Sequence, residues 1–227
     1  MKSKFTLLIL LLAIFASCKK TTNVDVKLST SGKLSYRLTD DAGKGLPNVK
    51  VSLFDRQDNY SNTNILLDTR LTDPNGLADF GDLNPNNYLL VADSPKVNNI
   101  AYFIQEYVQV ITGAVKQKEV KVTDHSGTFN IVVKSYNNPN QPLKNIGVMM
   151  IPSAKFNYSL STVANLKVAD ASGLTNADGL VTFKVPSNKQ YTIYLYNSVT
   201  NAVFNYNGNL LVQKGATYSY TTGVYLQ

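Results

Sequence analysis

The side chains that could do chemistry are few and poorly grouped. His125 is the only histidine, and it stands in Thr123-Asp124-His125-Ser126-Gly127. An acid, a base and a hydroxyl adjacent in sequence do not make a catalytic triad. Triads are assembled across a fold, and consecutive residues of an extended segment point in different directions. The segment 123–127 reads instead as a linker and as the favoured point of limited proteolysis. Glu106 and Glu119 are the only glutamates, and both lie on alternating patterns where an exposed charge is the default. Glycoside hydrolysis needs two carboxylates about 5–10 Å apart across a cleft, and no cleft is signalled. Asp40-Asp41 and Asp73-Pro74-Asn75-Gly76 offer oxygens, but calcium takes about 6–8 of them and the spacing of a calcium loop is absent. With one histidine and one cysteine, zinc has no ligand set. The chain is expected to hold no catalytic residue, no metal and no cofactor.

Tyrosine is the more suggestive chemistry. The second half holds nine of the fourteen: Tyr136, Tyr158, Tyr191, Tyr194, Tyr196, Tyr206, Tyr218, Tyr220 and Tyr225. A period of two puts Tyr191, Ile193 and Leu195 on one face of a strand, and Tyr194 and Tyr196 on the other. With the first face as core, the second is either exposed or shielded by loops. Tyrosine is favoured at interfaces, so Tyr194 and Tyr196 are the candidate surface for a partner or ligand. Ordinary strand propensity also accounts for them.

The remaining reactive group is Cys18, the only cysteine. It follows Lys2 and Lys4, an apolar run from Phe5 to Phe15, and the small pair Ala16-Ser17. That layout is a secretory signal peptide, and the run is shorter than the roughly 20 residues a spanning helix needs. Phe15-Ala16-Ser17-Cys18 resembles the lipobox of bacterial lipoproteins, with Phe15 where leucine is usual. The resemblance implies cleavage after residue 17, a lipid on Cys18, a tether over 18–29, and attachment to a membrane by acyl chains. Lys19 stands where an inner-membrane retention signal resembles aspartate, which implies the bacterial outer membrane. No acidic run follows the cysteine, which favours the periplasmic face over the cell surface.

The net charge of +7 has no nucleic-acid footprint, because no Lys/Arg cluster follows Lys19-Lys20. Beyond the N-terminal lysines the surplus lies in residues 124–227, which hold seven lysines against Asp124, Asp170 and Asp178.

The elements that must position these groups are written twice. Thr72, Gly76, Phe80 and Tyr88 recur 103 residues later as Thr175, Gly179, Phe183 and Tyr191. Leu46-Pro47-Asn48-Val49 is answered by Leu143-Lys144-Asn145-Ile146. Each copy alternates like half-buried strands, at Leu34, Tyr36 and Leu38 and again at Phe129, Ile131 and Val133. Asx- and glycine-rich turns separate the strands. The expected architecture is all-β: two tandem seven-stranded Greek-key sandwiches, of immunoglobulin-like or prealbumin-like type, after the signal peptide. The first spans 30–123 and the second 124–227, each with its own core. No stretch holds a helical period.

Each copy resembles the transthyretin-like, or carboxypeptidase-regulatory-like, domain, which is related to the B-type repeats of Gram-positive surface proteins. Leu46, Asn48, Val49, Val51, Leu53, Thr72, Asp73, Gly76, Phe80, Leu83, Pro85, Tyr88, Leu90 and Val91 carry the resemblance in the first copy. Pro142-Leu143, Asn145, Ile146, Val148, Thr175, Gly179, Phe183, Pro186 and Tyr191 carry it in the second. Asn86 replaces a usual glycine, as a residue that also visits the left-handed region. The resemblance implies scaffold roles for these positions, including a tyrosine that closes a corner, and no shared catalytic residues. Some B-type relatives form a Lys–Asn or Lys–Asp isopeptide bond beside a buried acid, for which Glu106 or Glu119 would have to serve. The resulting expectation is a non-catalytic, lipid-anchored envelope protein that docks another envelope component or acts structurally. The alternative is capture of a ligand, such as a glycan, by loops 56–64 and 153–172 or by the tyrosine face.

Overall fold

The structure is a computed structural model of the 227-residue chain, and it describes residues 30–56 and 64–225. The signal peptide, Cys18, its tether and most of loop 56–64 lie outside the described residues. The first half forms β1 (Gly32–Thr39), β2 (Lys50–Arg56), β3 (Asn64–Leu71), β4 (Leu77–Leu83), β5 (Asn86–Ala92), β6 (Lys96–Val97), β7 (Ile100–Ala101), β8 (Ile104–Val110) and β9 (Val115–Lys121). The sheet β4-β1-β9 and the sheet β3-β2-β5-β8 form one sandwich, with β6-β7 as an inserted hairpin. The second half forms β10 (Ser126–Ser135), β11 (Ile146–Pro152), a five-residue helix α1 (Thr162–Leu166), β12 (Ala171–Leu174), β13 (Leu180–Pro186), β14 (Gln190–Asn197), β15 (Val203–Leu211) and β16 (Thr217–Val224). Its sheets are β13-β10-β16 and β12-β11-β14-β15. The protein is therefore all-β in two tandem seven-stranded sandwiches.

Alternation decides what each sandwich buries. Leu34, Tyr36 and Leu38 meet Val51, Leu53, Leu90 and Ile104 in the first core. Phe129, Ile131 and Val133 meet Val148, Met150, Ile193 and Leu195 in the second. A fully buried Leu, Ile or Phe contributes about 1.5–3 kcal/mol, so these cores hold the fold without disulfides. In both sandwiches the first and last strands are parallel neighbours. β1 pairs with β9 from Lys33↔Val115 to Thr39↔Lys121, and β10 pairs with β16 from Thr128↔Thr217 to Ser135↔Val224.

The repeated residues perform the same local work twice. Thr72 donates its hydroxyl to Leu46 O (2.6 Å) and accepts from Val49 N; Thr175 does the same with Leu143 O (2.6 Å) and Ile146 N. Asn48 and Asn145 both hold positive φ, at 59° and 62°. Asp73 Oδ1 accepts from the backbone of Asn75 and Leu77, and Asn176 Oδ1 accepts from Asp178 and Leu180. The turn needs only an oxygen, so aspartate and asparagine are equivalent there. At Gly76 a Cβ would lie 2.2 Å from Leu38 O, and at Gly179 2.4 Å from Val133 O, each at positive φ.

Two positions depart from this symmetry. Asn86 does not use the left-handed region; it opens β5 and donates through Nδ2 to Asp55 Oδ1 at 2.8 Å. Tyr88 closes its corner on Asn84 O at 2.7 Å, whereas Tyr191 donates to the Asp170 carboxylate at 2.6 Å.

The linker reading of 123–127 requires correction. Val122–Asp124 form a 3-10 turn, and Val122, Thr123, His125 and Ser126 are all buried. This backbone is paired into the second sandwich: His125 O accepts from Ser187 N, and Ser126 O accepts from Gly215 N.

Candidate functional site

Tyr194 and Tyr196 do project from the outer face of the second sandwich, yet neither is a surface residue: they are 2% and 9% exposed. The partner-surface reading of these two rings is corrected by the segment 153–170, which folds across them as a lid. Together with Met149 and Ile151 they form a third apolar cluster against Phe156, Val168 and Ala169. The Phe156 ring meets Tyr194 edge-on at 6.0 Å and Tyr206 at 5.1 Å. Gly147 makes room underneath, since a Cβ there would lie 2.3 Å from Tyr196 Cζ.

Polar groups fasten the lid. Thr162 Oγ1 bridges Asn201 O (2.6 Å) and Tyr194 Oη (3.0 Å). Asn165 is fully buried, and its amide donates to Asn157 O, Leu160 O and Ser161 O. Ser161 caps α1 by accepting from Ala164 N at 3.3 Å. The lid then shows a new apolar face to solvent: Tyr158, Leu160, Val163 and Leu166 are exposed, beside Val203 and Tyr206 of β15. Five residues of helix cannot declare a period, so α1 leaves no sequence signal.

Two polar clamps join the sandwiches. In the first, Glu106 of β8 receives Lys214 at 2.7 Å, His125 Nε2 at 3.0 Å and Lys118 at 3.2 Å. His125 is 2% exposed and also lies 3.2 Å from Lys214 Nζ. Burial and then the Lys214 charge hold the imidazole below its ordinary pKa, with Glu106 opposing them. Burial raises the Glu106 carboxyl, but hydrogen bonds and charge from Lys214 and Lys118 outweigh it and leave the group below its ordinary value. Glu106 is thus a clamp, where alternation predicted a free surface charge. In the second clamp, Lys189 donates to Ala101 O of the first sandwich and lies 3.3 Å from Asp170, which also accepts from Tyr191. Asp170 closes the lid, so one carboxylate ties lid, core and neighbouring sandwich together.

Among the described residues no three His, Cys, Asp or Glu side chains converge, and no lysine is buried. Glu119 pairs with Arg37 at the surface (3.0 Å), so the isopeptide arrangement is not assembled at either glutamate. Two shallow grooves flank the first sandwich. One of about 190 Å³ lies along Lys50, Phe54, Asp93 and Phe103, and one of about 260 Å³ along Tyr107, Ile111, Lys116 and Lys118. Neither is lined by an aromatic row. Among the described residues no helix is long and apolar enough to cross a membrane.

No family model matches the chain, and no curated protein matches it. Among solved structures it is similar to the Bacillus anthracis TIE protein, at 16% identity and a TM-score of 0.37; the match covers 86% of this chain and 34% of that one, about a third of its length. It is similar to GBS52, the minor pilin of the gram-positive pathogen Streptococcus agalactiae, at 12% identity and a TM-score of 0.38, covering 87% and 97%. It is also similar to the shaft pilin SpaA from Lactobacillus rhamnosus GG, at 11% identity and a TM-score of 0.31, covering 87% and 100%.

Proposed function

We propose that this is a non-catalytic envelope protein, anchored through a lipid on Cys18, that holds an apolar docking face clear of the membrane. The observation that carries the docking role is the lid. It covers one aromatic face of the second sandwich and replaces it with exposed Tyr158, Leu160, Val163 and Leu166. Burying such side chains against a partner is the ordinary source of association energy. The strand order supports the standing-off role. β1 and β9 are parallel, so the chain enters the first sandwich at one end and leaves it at the other, into β10. Two clamps stiffen that junction. The partner class that fits is another envelope protein with an apolar surface; a glycan platform has less support, because the grooves lack an aromatic row.

A photo-crosslinking residue at Val163, in intact cells, tests the reading. A discrete adduct should form at Val163 and at no equivalent exposed site on β9, and Leu166→Asp should abolish it. An unmodified chain at Val163 would overturn the docking role.

A further inference from the structure

We infer that β3 is a self-pairing edge, through which two copies of this chain join antiparallel about an axis at Thr69. β3 is the outer strand of its sheet, and Ile65, Leu66, Leu67 and Leu71 on it are exposed. Edge strands normally block such pairing with charge, proline or shortness. β9 has Lys116, Lys118 and Lys121 on its edge, β13 ends at Pro186, and β12 is four residues long. β3 runs for eight residues with no lysine and no proline, and its two charges, Asp68 and Arg70, are of opposite sign.

The second copy is identified as the occupant by the order of side chains. Reversing Leu67-Asp68-Thr69-Arg70-Leu71 keeps its apolar ends and exchanges its two charges. Pairing about Thr69 sets Asp68 opposite the second copy's Arg70 twice, and Leu67 opposite Leu71 twice. Opposite charges and apolar pairs directly across a ladder are the favourable combinations, whereas a like-charge pair is destabilising. The backbone agrees with this axis. Residues 68–71 pair regularly with Leu53, Ser52, Val51 and Lys50 on one side. Thr72 N donates to Val49 O, so the alternation of an antiparallel ladder turns the Thr69 N–H away from β2; it donates to the adjacent Asp68 Oδ1 at 2.7 Å. Asp68 Oδ2 meanwhile holds Arg70 Nε at 2.8 Å. Within one copy, then, this carboxylate covers the groups that the second copy would take: backbone would replace Oδ1 at Thr69, and the second copy's Arg70 would meet Asp68. A bulge leaves Leu67 without a β2 partner and ends the regular run, so the contact is short and specific to this register.

The test is Thr69→Cys in the full chain, oxidised in membranes. A hydrogen-bonded antiparallel pair spans about 5.5 Å between Cα atoms, inside the roughly 4.4–6.8 Å a disulfide bridges. Thr69→Cys should give a covalent dimer of twice the chain mass; the unaltered chain, whose only cysteine is Cys18, and Lys116→Cys should not. Adding Asp68→Arg should cut the dimer about tenfold by facing arginine with arginine, at unchanged circular dichroism, and adding Arg70→Asp to that variant should restore it. No dimer at Thr69→Cys, an adduct with a different protein, or indifference to Asp68→Arg would each overturn the inference.

Discussion

Replacing Glu106 by alanine removes the carboxylate that Lys118, Lys214 and His125 share. A hydrogen bond to a charged group contributes about 1.5–3 kcal/mol. The lysine side chains are 33% and 47% exposed, so solvent screening brings the expected loss to about 1–2 kcal/mol. For a chain of this size that lowers the melting temperature by about 2–8 °C. The pH dependence gives a second reading. His125 is held below its ordinary 6.5 by burial and Lys214, so the folded state binds its proton less readily than the unfolded chain. That contribution is whole above the unfolded value of 6.5 and is lost as the pH falls from there. Without Glu106, the strongest nearby influence favouring the imidazolium is gone, and the loss on acidification should steepen. The depressed Glu106 pKa adds stability above 4.5 that fades in stronger acid, and this part should vanish in Glu106→Ala. Thermal unfolding of both proteins between pH 8 and about pH 3 decides it. Equal melting temperatures and parallel pH curves would refute the clamp.

Tyr36→Phe should leave stability unchanged or raise it by about 1 kcal/mol in urea unfolding, because Tyr36 Oη is buried without a partner among the described residues. Gly76→Ala should cost about 2–3 kcal/mol, since strain at positive φ is joined by a Cβ against Leu38 O, whereas Gly43→Ala, at positive φ in open space, should cost about 1 kcal/mol. Cys18→Ala should abolish acylation, read by mass spectrometry, and release the protein from membranes. Limited proteolysis should spare the buried turn at 122–126 and cut exposed loops first, while residues 24–123 and 127–227 made separately should each show dispersed amide spectra; cleavage at the turn would mean the clamps are open in solution.

The sandwich was legible because its devices are local and written twice. Thr72, Gly76 and Thr175, Gly179 sit at turns whose chemistry a few adjacent residues determine, and Leu34, Tyr36 and Leu38 declare their face by period alone. The candidate site was legible only in part. Tyr194 and Tyr196 were placed on the correct face, but what covers them comes from a loop some 30–40 residues away with no periodicity of its own. Phe156, Thr162 and Asn165 carry no motif; the one signal was the length of the second copy's middle loop. His125 and Glu106 were misplaced for a related reason. Alternation says which side of its own sheet a residue faces, and is silent when a second sandwich arrives on that side.

The parallel pairing of β1 with β9 has a mechanical consequence. If the anchor pulls on the chain ahead of Gly32 while a docked partner pulls through β10, tension enters β1 at its start and leaves β9 at its end. The two strands are then drawn past one another along their length, and the ladder from Lys33↔Val115 to Thr39↔Lys121 is loaded in shear. Its hydrogen bonds must yield together instead of unzipping one at a time. The same parallel pairing recurs in β10 and β16, but a partner docked on the lid, between β11 and β12, pulls at neither end of β16.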